Sequence, residues 1–172
     1  MLRRAVVVPV SSPAAGLVDE IRERFDPVMA ARIDPHITIV HEVIHHGRAL
    51  ELVSSVAERP AFTVQLTRAA LWGPARYGIF LDVDDPGGAL DSLYTALREV
   101  ETPGWARAEY RPHVTLVHGR TVTEAGAELA WSALDGFVAG WQVDIAALDV
   151  IELVEPRWEL VRRVALRSAS MT

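Results

Sequence analysis

The chain has 172 residues, 50% of them hydrophobic and 23% charged, with a formal net charge of −6 and no cysteine. Such a composition is globular, and the length suits one domain or two closely joined lobes. It excludes disulfides, thiolate catalysis and Cys-based metal sites, and the acidic balance argues against a surface that tracks the phosphates of long nucleic acid. A locally basic cleft for a short nucleotide end stays open.

Leu2-Arg3-Arg4 and the apolar run 5–10 imitate a signal peptide, but the run is short and broken by Pro9. A buried first strand is the better reading, and no segment is long enough to span a membrane, so a soluble cytoplasmic protein is expected. From Leu17 to Phe25, Leu17, Val18, Ile21 and Phe25 fall at helical spacing, with Asp19, Glu20, Arg22 and Glu23 outward. Pro27 ends that helix or lies just beyond it. A strand follows from His36 to about Val43, then a helix over 48–58 stopped before Pro60. Strands are expected over 62–72 and 77–83, with turns at Gly73-Pro74 and Asp84–Gly88. Leu90, Leu93, Tyr94, Leu97 and Val100 mark an amphipathic helix. A second histidine strand begins at His113, and Thr123 caps a helix ending near Gly136. Residues 141–154 form one long strand or two short ones, and 158–166 a closing strand.

Within this order one heptapeptide occurs twice. Pro35-His36-Ile37-Thr38-Ile39-Val40-His41 reappears 77 residues later as Pro112-His113-Val114-Thr115-Leu116-Val117-His118. The copies make the chain two β-α-β-α-β halves, roughly 5–72 and 77–154, plus the closing strand. The expected fold is α+β: two lobes related by a pseudo-twofold axis, with a central cleft, in a single bilobal domain. Residues two apart on a strand share a face, so His36 with Thr38, and His113 with Thr115, should face the cleft. Strict alternation puts His41 and His118 on the opposite face, unless the strand ends bulge.

Two histidines suit general acid–base chemistry near neutral pH, one taking a proton and one giving it. Threonine hydroxyls beside them can donate to non-bridging phosphate oxygens. Phosphodiester transfer fits this set without a metal. His41, Glu42, His45 and His46 match no standard metal-ligand spacing, and no metal or other cofactor is expected. Arg76 and Tyr77, Tyr110 and Arg111, and His118 are candidate substrate contacts.

Two H-x-T motifs on strands of an α+β chain resemble the 2H phosphoesterase superfamily. Tyr110-Arg111-Pro112-His113-Val114-Thr115-Leu116, and more loosely Leu71-Trp72 with Tyr77-Gly78-Ile79-Phe80-Leu81, resemble its 2′-5′ RNA ligase/RNA 2′,3′-cyclic phosphodiesterase branch. The resemblance implies a metal-independent enzyme that opens 2′,3′-cyclic phosphates, or acts on 2′-5′ linkages, of RNA ends or nucleotides. It makes His36 and His113 the acid/base pair and Thr38 and Thr115 the phosphate ligands. His36 would protonate the leaving oxygen and His113 activate water, although the near-symmetry of the motifs leaves the two roles interchangeable. Relatives often carry an arginine or aromatic residue after the second motif, where this chain has His118 and, further on, Arg120. The implied partner is an RNA end or a small nucleotide, bound by a monomer. The competing readings are a small-metabolite cyclic-nucleotide phosphodiesterase without an RNA role, which the acidic composition favours, and a non-catalytic nucleotide- or RNA-binding module, which the intact His and Thr disfavour.

Overall fold

Eight strands and five α-helices are present in the computed structural model, which describes residues 3–72, 78–103 and 110–168. In order they are β1 (Arg4–Pro9), α1 (Ala14–Phe25), α2 (Pro27–Arg32), β2 (His36–Val40), α3 (His46–Ser55), β3 (Phe62–Leu71), β4 (Gly78–Asp84), α4 (Ala89–Leu97), β5 (His113–His118), α5 (Glu124–Leu134), β6 (Val138–Ile145), β7 (Ala147–Val154) and β8 (Arg157–Ala165). Two antiparallel four-stranded sheets result, in the orders β2-β1-β7-β8 and β5-β4-β3-β6. Each histidine strand is therefore the edge of its sheet, next to the strand that opens its half.

The sheets cut across the sequence repeat. β3, from the first copy, lies in the second sheet, and β7, from the second copy, lies in the first. The 141–154 stretch is thus two strands parted at Ala146, one serving each sheet. The β7–β8 hairpin completes the first sheet.

Alternation explains the layering. Val6 and Val8 of β1 join Ile37, Ile39, Leu66, Leu81 and the buried faces of the helices in one continuous core. Ala5 and Val7 point to the other side of the same strand and pack with Ile151, Ile33 and Trp158 in a second, smaller cluster. α4 buries Leu90, Leu93, Tyr94 and Leu97, the spacing its sequence predicts. Thr123 caps α5 by accepting the Gly126 N–H at 3.1 Å.

One expectation about the first helices needs correction and one short helix is new. Pro27 lies just beyond α1, as expected, and there takes the first position of the unexpected α2, where its missing N–H costs nothing. Asp26 caps that helix by accepting the Met29 N–H at 3.0 Å. Arg22, read as outward, is fully buried. It lies in line with the buried Ala14 and Val18 at a spacing of four, and its charge is met by backbone carbonyls rather than by water.

Gly78 opens β4 at a φ of +136°, and a Cβ there would sit 3.0 Å from the Val117 carbonyl oxygen on β5. Gly78→Ala should destabilise the protein by about 1–3 kcal/mol, read as a lower midpoint in chemical unfolding.

Candidate active site

The motif strands bend at equivalent places. Along β2, Val40 pairs with Val6 and Thr38 with Val7, so Ile39 is an extra residue with no partner of its own. Along β5, Val117 pairs with Ile79 and Thr115 with Phe80, so Leu116 is extra. A bulge of one residue reverses the alternation beyond it. His41 and His118, which regular strands would send to the far face, consequently line the same cleft as His36, Thr38, His113 and Thr115. The cleft encloses about 1070 Å³.

Both motif histidines are set by one local device. The Nδ1 of His36 lies 2.7 Å from the Asp34 carbonyl oxygen, and the Nδ1 of His113 lies 2.9 Å from that of Arg111. A carbonyl oxygen only accepts, so Nδ1 carries the proton in both rings, and both rings line the cleft. The repeated proline between each pair biases residues 34 and 111 to extended backbone, which turns their carbonyls toward the rings. Burial pushes the His36 imidazole down from 6.5 to about 4. The Asp34 hydrogen bond opposes that shift, while the positive charge of Arg22, with His113 and His41, adds to it.

His118 has the opposite arrangement. Its Nδ1 accepts the Arg120 N–H at 3.2 Å, so its proton sits on Nε2, a neutral donor. Burial first, and then the Arg120 charge, lower its pKa.

Edge strands expose unpaired N–H and C=O groups, and here the two halves cover each other's. The buried Arg22 donates through Nε and Nη2 to the Thr115 carbonyl at 3.0 and 2.8 Å, and through Nη1 to that of Ile33 at 2.9 Å. The buried Asp26 accepts the His118 N–H at 2.8 Å and the Thr121 hydroxyl at 2.6 Å. In return, Tyr110 Oη donates to the Thr38 carbonyl at 2.8 Å and Glu101 accepts the His41 N–H at 3.2 Å. Tyr94 completes this side, stacked on Tyr110 at 4.5 Å and donating to Glu101 at 3.1 Å. Each segment leading into a motif strand thereby pins the other motif strand.

Of the candidate substrate contacts, Tyr110, Arg111 and His118 line the cleft, whereas Arg76 and Tyr77 lie outside the described residues. Arg111 is held by Asp82 at 2.8 and 3.1 Å and lies over Phe80 and Trp72. The Trp72 ring meets the His113 ring edge-on at 4.8 Å. Arg22, Asp26, Glu101 and Trp158 carried no motif; the spacing of four from Val18 was the one sequence signal for Arg22. Among the described residues, no three His, Asp or Glu side chains group as metal ligands.

The sequence profile of the 2′-5′ RNA ligase superfamily matches residues 9–156. The chain belongs to this family. Its members are 2H phosphoesterases, so phosphoester chemistry is the family's activity. Escherichia coli LigT, in a crystal structure with 3′-AMP, is 17% identical over 95% of this chain and 97% of its own, with a TM-score of 0.69. The Thermus thermophilus protein TT0787 is 15% identical over 96% and 98%, with a TM-score of 0.69. Kluyveromyces marxianus Usb1 is 9% identical over 96% and 98%, with a TM-score of 0.56. These likenesses establish the shared fold. No curated protein sequence matches the chain. Among the described residues no helix is long and apolar enough to cross a membrane.

Proposed function

We propose that this 2H phosphoesterase hydrolyses 2′,3′-cyclic phosphates at RNA ends or on nucleotides, using His36 and His113 as acid and base and Thr38 and Thr115 as phosphate ligands. The observation that carries the reading is the duplicated ring geometry. Two imidazoles, each with Nδ1 tied to a carbonyl two residues back, line one cleft together with the threonine of each motif.

The low pKa of His36 favours the reverse of the sequence-based roles. Neutral at pH 7, His36 takes a proton from water as the water oxygen bonds to phosphorus. The bond from phosphorus to the 3′ oxygen breaks, and protonated His113 gives its proton to that oxygen, leaving a 2′-phosphomonoester. The threonine hydroxyls and the Nε2–H of His118 donate to the non-bridging oxygens, where charge accumulates. Arg3, Arg32, Arg111 and Arg120 line the cleft with Glu101 and Glu124, so cationic side chains outnumber carboxylates there although the whole chain is acidic, and three of the four arginines are already paired with carboxylates.

kcat/KM reports the free enzyme, so its acid limb should lie near pH 4, where His36 gains a proton and the base is lost. Activity should persist from neutrality down to that limb. EDTA should leave the rate unchanged. Measuring both with adenosine 2′,3′-cyclic phosphate tests the reading, and an acid limb near pH 6.5 would reverse the two roles. Loss of activity in EDTA, restored by a divalent metal, would overturn the mechanism.

A further inference from the structure

We propose that Trp158, with Ile151 and Arg3, forms a stacking platform for a second nucleoside base, so that the site is built for an oligonucleotide end rather than a cyclic mononucleotide. This inference rests on the phosphoesterase reading of the cleft.

The first sheet has apolar residues on both faces. One face is closed by the main core; on the other, Ala5, Ile151, Ile33 and Trp158 line the cleft. Trp158 is half-buried, and the Arg3 guanidinium lies 5.8 Å from its ring centroid. The Arg3 cation lies over this ring, so the indole presents a face that already takes a cation, and a base stacks there in the guanidinium's place; such stacking tolerates any base.

Exposed ion pairs link the Trp158 hairpin to the segment that leads into the first motif. Arg157, next in sequence, donates to the Asp34 carboxylate at 2.8 Å, and Asp34 supplies the carbonyl that orients His36. Arg32 pairs with Glu155 at 2.9 Å across the same hairpin turn. Ala5 of β1 pairs with Ile151 of β7, which puts Ile151 two strands, or about 10 Å, from the His36 strand. Ile33, in the segment just before Asp34, packs into the same cluster as Ile151 and Trp158 and carries this surface toward the histidine strand. The second sheet offers its own ring, Trp72, packed against His113. Each sheet thus contributes one indole to the lining of the cleft.

The test compares a diadenylate ending in 2′,3′-cyclic phosphate with adenosine 2′,3′-cyclic phosphate. kcat/KM should favour the dinucleotide by about 10- to 100-fold, the range of one base stacked on an aromatic side chain. Trp158→Ala should bring the ratio close to one, and Trp158→Phe should keep most of it. Equal kcat/KM values, or a preference that survives Trp158→Ala, would overturn the platform. Failure to turn over either substrate would instead refute the hydrolase reading, and the platform is then judged by calorimetric binding to His113→Ala. There the dinucleotide should bind at least about tenfold more tightly, an advantage that adding Trp158→Ala removes; equal affinities would overturn the platform.

Discussion

His36→Ala and His113→Ala are each expected to lower kcat for a 2′,3′-cyclic nucleotide by about 10²–10⁴-fold, the usual share of a positioned acid or base. The loss should fall on kcat and kcat/KM alike, because proton transfer is felt in the transition state and hardly in binding. Each ring's described hydrogen bond is to a backbone carbonyl two residues away in its own segment, so both variants should still fold, with His113→Ala giving up more thermal stability because it also loses its ring contacts to Trp72 and Phe80. The double variant should be little worse than either single one, since a hydrolysis missing its base gains little from its acid. Turnover within tenfold of the parent in either single variant would remove that histidine from the mechanism.

The motif strands were legible in the sequence because each is short, β-branched and repeated, and the threonine two places on shares the histidine's face by geometry alone. α4 and the Thr123 cap were legible for the same reason: each is a local pattern. What sequence reasoning missed is non-local. A six-residue helix such as α2 is too short to show periodicity, and its Pro27 signals a stop as readily as a start. The crossing of β3 and β7 between sheets depends on pairings that no local propensity records. The bulges at Ile39 and Leu116 carry no distinctive residue, so parity sent His41 and His118 to the wrong face. Covering of the motif strands is hidden deepest, because the two halves do it with unlike residues, Arg22 and Asp26 on one side and Tyr110 and Glu101 on the other.

Arg22→Met should cost about 2–4 kcal/mol, because it strips the buried Thr115 and Ile33 carbonyls of their donor while nearly preserving volume. In a chain this long that corresponds to a fall of roughly 5–15 °C in Tm. Lysine is no substitute: a single ammonium cannot reproduce a fork that serves two carbonyls on different segments, so Arg22→Lys should lose much of the same stability. The pH profile separates the two variants. Arg22 holds the His36 pKa down by its charge, so removing the charge lets that pKa rise, and the acid limb of kcat/KM should move above pH 4 in Arg22→Met. Arg22→Lys retains the charge and should keep the limb near its original place. A residue that merely fills space would lower Tm in both variants and move the limb in neither. An unmoved limb in Arg22→Met, or a Tm within about 2 °C of the parent, would show that the motif strands do not depend on this arginine.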